Sequence, residues 1–170
     1  MAGEIFSLPY AGKCAATLLI NPRRFFSSEG KKASWTVAFG FIMVSAIISS
    51  GAALLLTRPS SPWLTGSILL INAVGMVGIS ACFAYLAIWL IRGERIRFKK
   101  IFSIYAFAGS MPLLVSWVPG AFWLTEAWKW WLVGTGLVRS ARFRGAQVVV
   151  VIGSSIGLTI LFFWSLIMII

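Results

Sequence analysis

The chain has 170 residues, 59% of them hydrophobic and 11% charged, with a mean hydropathy of +0.93. A soluble domain carries about 25% charged residues, so this chain lacks the polar surface to cover a water-soluble globule and reads as an integral membrane protein. Its net charge of +11, from 15 basic against 4 acidic residues, then marks cytoplasmic loops and contact with anionic lipid headgroups rather than nucleic-acid binding.

A helix that crosses a hydrocarbon core of about 30 Å at about 1.5 Å per residue needs roughly 20 residues, so charges act as punctuation. Residues 1–34 are too polar and interrupted to span, and form an N-terminal cytoplasmic or interfacial segment. Within it Leu8, Ala11, Ala15, Leu18 and Leu19 recur at near-helical spacing beside Lys13, which predicts a short amphipathic helix lying in the interface. Asn21-Pro22 reads as the N-cap and first-turn proline of a second short helix. That helix is expected to place Arg23 and Arg24 at lipid phosphates and Phe25 and Phe26 in the acyl boundary. The first long apolar run begins near residue 34, too late and too long for a secretory signal peptide, with no small-residue cleavage site after it.

Lys32 and Arg58 bound the uncharged stretch that gives span one, about 35–57. Pro59, Ser60, Ser61 and Pro62 form a turn, and 64–91 follows as a long, tilted span two. Span three is 101–117, kinked at Pro112, and a tight turn at Val118-Pro119-Gly120 closes it. Span four is 121–138, and Arg139, Arg142 and Arg144 make the next loop. Span five, 146–170, carries no charge. The predicted fold is therefore all-α, a polytopic bundle of five transmembrane helices over residues 35–170.

Span four contains Glu126 and Lys129, and a competing reading extends span three to Thr125 and leaves 126–144 outside the membrane. Charge placement separates the two. With five spans, an inside N-terminus and an outside C-terminus, every basic residue except Arg58 and Lys129 falls on the cytoplasmic side, as the positive-inside bias requires. The four-span alternative puts Lys129 and three arginines outside. Tryptophans agree: Trp35 and Trp89 fall near inner ends, and Trp63, Trp117 and Trp123 near outer ends, at headgroup level. Trp128, Trp130 and Trp131 sit deeper and are expected to pack around Lys129.

No histidine occurs, which removes Ser-His-Asp triads, Cys-His dyads, histidine metal sites and histidine-ligated haem together. Cys14 and Cys82 read as two small buried thiols rather than a disulfide. Glu4, Glu29, Glu94 and Glu126 are scattered and form no motif-spaced carboxylate pair. No phosphate loop, dinucleotide fingerprint or metalloprotease helix is present, so no catalytic residue, metal ligand or cofactor is expected and the chain reads as a non-enzyme.

Four features remain as candidates. Glu126 and Lys129, three apart on one helix face, form an intramembrane ion pair; it reads first as an anchor near the outer end of span four and second as part of a transport path. Pro112 has no matching broken helix in an inverted-repeat position, so its kink reads as packing. Gly153-Ser154-Ser155-Ile156-Gly157 is a GxxxG, Ser45, Ser49 and Ala53 line one face of span one, and Gly75 and Gly78 notch span two. Such residues let helices approach closely, within the bundle first and in a homo-oligomer second. Finally, Arg92, Arg95, Arg97, Lys99 and Lys100, with Arg23, Arg24, Arg139 and Arg142, make a positive cytoplasmic face. Near a surface each cation adds about 1 kcal/mol of attraction to anionic lipid, and the same face can recruit an acidic protein partner.

Asn21-Pro22-Arg23-Arg24-Phe25-Phe26 before span one, Arg97-Phe98-Lys99-Lys100 with Tyr105-Ala106 and Pro112-Leu113-Leu114, and then Pro119-Gly120 and Gly136-Leu137, carry a family likeness. Over roughly residues 15–170 the chain resembles the Yip family, multi-span proteins named for interaction with Ypt/Rab GTPases, and within it the bacterial members. The resemblance implies five helices with a cytoplasmic N-terminus and residence in the bacterial inner membrane. In eukaryotic members it implies Golgi or endoplasmic-reticulum trafficking with prenylated GTPases; their Asp-Leu-Tyr-Gly-Pro-like motif does not occur here. The leading expectation is a Yip-type scaffold or adaptor working through its basic face. The alternative is a small-solute transporter or lipid-translocating protein that uses Glu126 and Lys129.

Overall fold

The structure is a computed structural model that describes residues 8–28, 30, 34–93, 96–118 and 120–169. The described residues form seven helices and no strand: α1 (Leu8–Ile20), α2 (Pro22–Ser27), α3 (Trp35–Thr57), α4 (Pro62–Arg92), α5 (Phe98–Leu113), α6 (Phe122–Ala141) and α7 (Gly145–Ile169). Their ends follow local chemistry. The Asn21 carboxamide oxygen accepts from the Arg24 N–H at 3.1 Å with Pro22 at the first position of α2, and Ser34 caps α3 through the Val37 N–H. Gly93, at φ +62, ends α4 in the left-handed region that costs glycine nothing.

Helix α5 is the axis of the bundle. It touches α3, α4 and α6, and Ile101 and every residue from Ser103 to Pro112 are buried. Small residues (Ala106, Ala108, Gly109 and Ser110) let neighbours approach on several sides, while Phe107 fills the space between them. The Phe107 ring meets Phe25 of α2 at 5.0 Å and Phe41 of α3 at 5.5 Å between centroids. An apolar helix enclosed in this way packs against protein all round, not against lipid.

Span three was expected to run to Trp117, but α5 stops at Leu113. Pro112 has no N–H to give the Ala108 carbonyl, and the chain tightens into three-residue turns in place of an open kink. The Leu114, Val115 and Ser116 N–H groups bond the Met111, Pro112 and Leu113 carbonyls at 3.1, 3.0 and 3.3 Å. The Ser116 hydroxyl and Trp117 indole then donate to the Leu113 and Leu114 carbonyls at 2.9 and 2.7 Å. Of the expected turn at 118–120, Pro119 lies outside the described residues; Gly120 has φ +84 and the Ala121 N–H bonds the Val118 carbonyl at 3.1 Å.

The short N-terminal helices depart from the expectation more sharply. Phe25 and Phe26 do not sit in the acyl boundary: they are 0% and 1% exposed, in the same core as Phe107, because α2 packs across α6. Among the described side chains of α1, Cys14 and Leu18, one turn apart, are buried, while Leu19 and Ile20 face outward. The two cysteines also differ from each other, since Cys14 is buried and Cys82 is exposed.

The outer surface is apolar. Phe39, Ile47, Ile48, Leu55 and Leu56 of α3, Trp63, Leu64, Ile68, Ile71 and Leu90 of α4, and Val149, Ile160, Leu161, Trp164, Ile167 and Met168 of α7 are all exposed. A water-soluble monomer does not carry a continuous apolar exterior of this extent, whereas a bilayer solvates it. By length and composition α3, α4 and α7 are each able to cross a membrane. Helix α5, at 16 residues or about 24 Å, and α6, which carries Glu126, Lys129 and Arg139, fall outside that set.

Candidate functional site

Successive helices run up and down, and their contacts fix which ends lie together. Tyr85 near the end of α4 meets Phe98 at the start of α5 with centroids 5.6 Å apart, and Trp35 at the start of α3 meets Phe102 at 6.2 Å. Gly136 of α6 abuts Ile104 of α5 and Phe26 of α2. These contacts bring α2, the start of α5 and the end of α6 to one end of the bundle, and with them the basic residues.

At that end Arg23, Arg24, Arg97, Lys99, Arg139 and Arg142 are exposed, and none of these six has an ion-pair partner among the described residues. Lys100 is half-buried at the same helix start, and Arg95 lies outside the described residues. The Lys99 ammonium stands 5.8 Å from the centre of the Trp35 ring, which ties α5 to α3 through a cation over an indole face. Arg142 ends α6 at φ 58, a left-handed conformation unusual for a residue with a Cβ. The Phe143 N–H bonds the Leu137 carbonyl at 3.2 Å, and its ring is buried, so the αL turn closes with a hydrophobic plug.

Arg23 of α2 and Arg139 of α6 line one groove of about 400 Å³, together with Trp131, Gly134, Thr135, Val138, Gly145 and Val148. Sequence spacing alone could not pair them, because 115 intervening residues hide a contact made only when α2 folds across α6.

Glu126 and Lys129 lie toward the other end of α6, with nitrogen to oxygen 2.6 Å and the side chains 37% and 27% exposed. The Lys129 ammonium is 4.9 Å from the centre of the Trp130 ring, and borders a cavity of about 50 Å³ with Ser80 and Tyr105. That volume holds about one or two waters and no solute. Pro112 is buried in the last turn of α5.

The two glycines of the GxxxG make no close contact: a Cβ at Gly153 or Gly157 would meet nothing within 4 Å. Close approach occurs instead at Gly109, where a Cβ would lie 2.9 Å from Val77, and at Gly136, where it would lie 2.5 Å from Ile104. The small residues Ala106, Ala108, Gly109 and Ser110 around Phe107 were the available signal for the first. Among the described residues no three His, Cys, Asp or Glu side chains gather as a metal site.

No curated protein and no solved structure matches the chain. The family model of the Yip1 domain matches residues 16–167, which cover the last turn of α1, all of α2 to α6 and α7 to within two residues of its end. Taken with the apolar exterior and the three helices able to cross a bilayer, that match means the chain is an integral membrane protein and belongs to the Yip1 domain family.

Proposed function

We propose that the protein is a non-enzymatic membrane adaptor that crosses the bacterial inner membrane five times, N-terminus in and C-terminus out, and offers its basic end to an acidic protein partner. The observation that carries this reading is the cluster of exposed cations at one end of the bundle, with no carboxylate partner among the described residues. At the far end the described loop between α3 and α4 holds only Arg58. A cationic face steers acidic surfaces toward it, and its strength falls with salt.

The division into an N-terminal segment and a five-span domain is part of the same proposal. Helices α5 and α6 supply the third and fourth crossings, with the three-residue turns after Leu113 lengthening the short α5 toward the outer surface. Reporter fusions after Arg144 should read as cytoplasmic and after Ile170 as external; a cytoplasmic signal after Ile170 returns the count to four. For the adaptor role, photo-crosslinking in native membranes should trap a recurrent partner that is lost when Arg97, Lys99 and Lys100 are replaced by glutamine. Undiminished capture by that variant, or no recurrent partner, refutes the role. The open Gly153–Gly157 edge of α7 is available to a second copy.

A further inference from the structure

The groove shared by α2, α6 and α7 differs from the rest of the basic face because its charge and its apolar surface are joined. Arg23 and Arg139 stand at its polar side, both exposed and without an ion-pair partner among the described residues. Trp131, Val138 and Val148 make its apolar wall, and Gly134 and Gly145 leave part of its floor without side chains. Its volume of about 400 Å³ lies within the about 300–1,000 Å³ typical of small-ligand sites. Val149 and Val150, next to Val148 on α7, are 71% and 51% exposed.

We propose that this groove seats one anionic phospholipid, its phosphate held between Arg23 and Arg139 and the upper part of an acyl chain laid along Trp131, Val138 and Val148. Charge complementarity selects the headgroup, since two guanidinium groups fit phosphate oxygens through paired N–H donors. The apolar wall selects a lipid over free phosphate, which would leave the exposed Trp131 and Val138 uncovered. Thr135 is half-buried in the same lining, but its hydroxyl already donates to the Trp131 carbonyl at 2.9 Å, so the arginines carry the headgroup. Entry is lateral from the bilayer and needs no opening of the bundle.

The site rests on the basic-face reading only for its leaflet and requires no protein partner. Purified protein in mixed phosphatidylglycerol and phosphatidylcholine nanodiscs, released into native mass spectrometry, should retain one phosphatidylglycerol in preference. R23Q/R139Q should weaken that preference about thirtyfold, the effect of two cations at headgroup range. R24Q/R97Q removes equal charge from exposed positions outside the groove and should leave the preference in place. Equal loss in both pairs means diffuse attraction and overturns the proposal, as does displacement of the lipid by inorganic phosphate alone. Should R23Q/R139Q fail to fold, the single variants R23Q and R139Q carry the test: each should weaken the preference about fivefold, and an undiminished preference in either folded variant overturns the site. Lipid selectivity lost with partner capture kept, or the reverse, separates this proposal from the adaptor role.

Discussion

Gly136→Ala tests whether α2, α5 and α6 meet as closely as the structure places them. An added Cβ would lie 2.5 Å from the Ile104 Cγ2 methyl and 3.1 Å from the Phe26 ring. Carbon atoms pack best at about 3.5–4.0 Å, so Ile104 must retreat by about 1 Å. It has little freedom to do so, because a β-branched side chain in a helix is held near one rotamer and Phe26 is 1% exposed. Overpacking of this kind costs about 1–3 kcal/mol. Alanine returns about 0.8–1 kcal/mol of helix propensity, but so does Gly153→Ala, where nothing lies within 4 Å. The difference between the two variants therefore isolates the steric cost, and at about 2–4 °C per kcal/mol it is worth about 2–12 °C in Tm. A thiol-reactive dye melt in detergent reads this directly on a Cys82→Ser background, since buried Cys14 reports the release of α1 and α2. If Gly136→Ala melts with or above Gly153→Ala, the close junction of the three helices is wrong.

Phe25→Ala removes a ring enclosed by Phe26 and Phe107 and should cost about 3–5 kcal/mol, with Cys14 labelled faster even at low temperature. Glu126→Gln and Lys129→Met should each shift stability by less than about 1 kcal/mol in a thermal melt, as expected for a partly exposed pair. A loss above about 3 kcal/mol would instead mark a charge left unpaired in a dry interior. Arg142→Gly relieves a left-handed residue and should raise stability by about 0.5–1 kcal/mol in the same melt, while lowering any partner capture that uses the basic face.

Charge spacing made the long helices readable. The uncharged runs after Lys32 and Arg58 became α3 and α4, and the run after Arg144 became α7, because each must solvate itself in lipid over its full length. Asn21-Pro22 likewise announced the start of α2 through capping chemistry alone. What failed was the fate of that helix. Two arginines beside two phenylalanines is also the composition of an interfacial helix, and nothing in six residues says that the phenylalanines will find Phe107 and Gly136 far along the chain. The groove between Arg23 and Arg139 was illegible for the same reason. The GxxxG misled in the opposite direction: small residues permit close approach without requiring it, and at Gly153 and Gly157 the approach does not happen within one chain.

The enclosed position of α5 bears on the number of crossings more than its hydropathy does. A lipid-facing helix must be apolar on its outer face over about 20 residues, and composition detects it for that reason. A helix surrounded by other helices answers to a different demand, fit between side chains, which Ser103, Ala106, Ala108, Gly109 and Ser110 serve at the expense of mean hydropathy. Its polar atoms are also consumed locally, as where the Ser103 hydroxyl donates to the Lys99 carbonyl at 2.8 Å. Composition alone therefore undercounts helices at the centre of a bundle, and α5 and α6 are the two where that undercount would fall. If α5 crosses, α6 must return, and Arg139 and Arg142 then share a leaflet with Arg23 and Arg97. The five-span proposal and the single basic face are thus linked, and together they stand or fall with Arg144 on the inner side and the turn at 120–121 on the outer side.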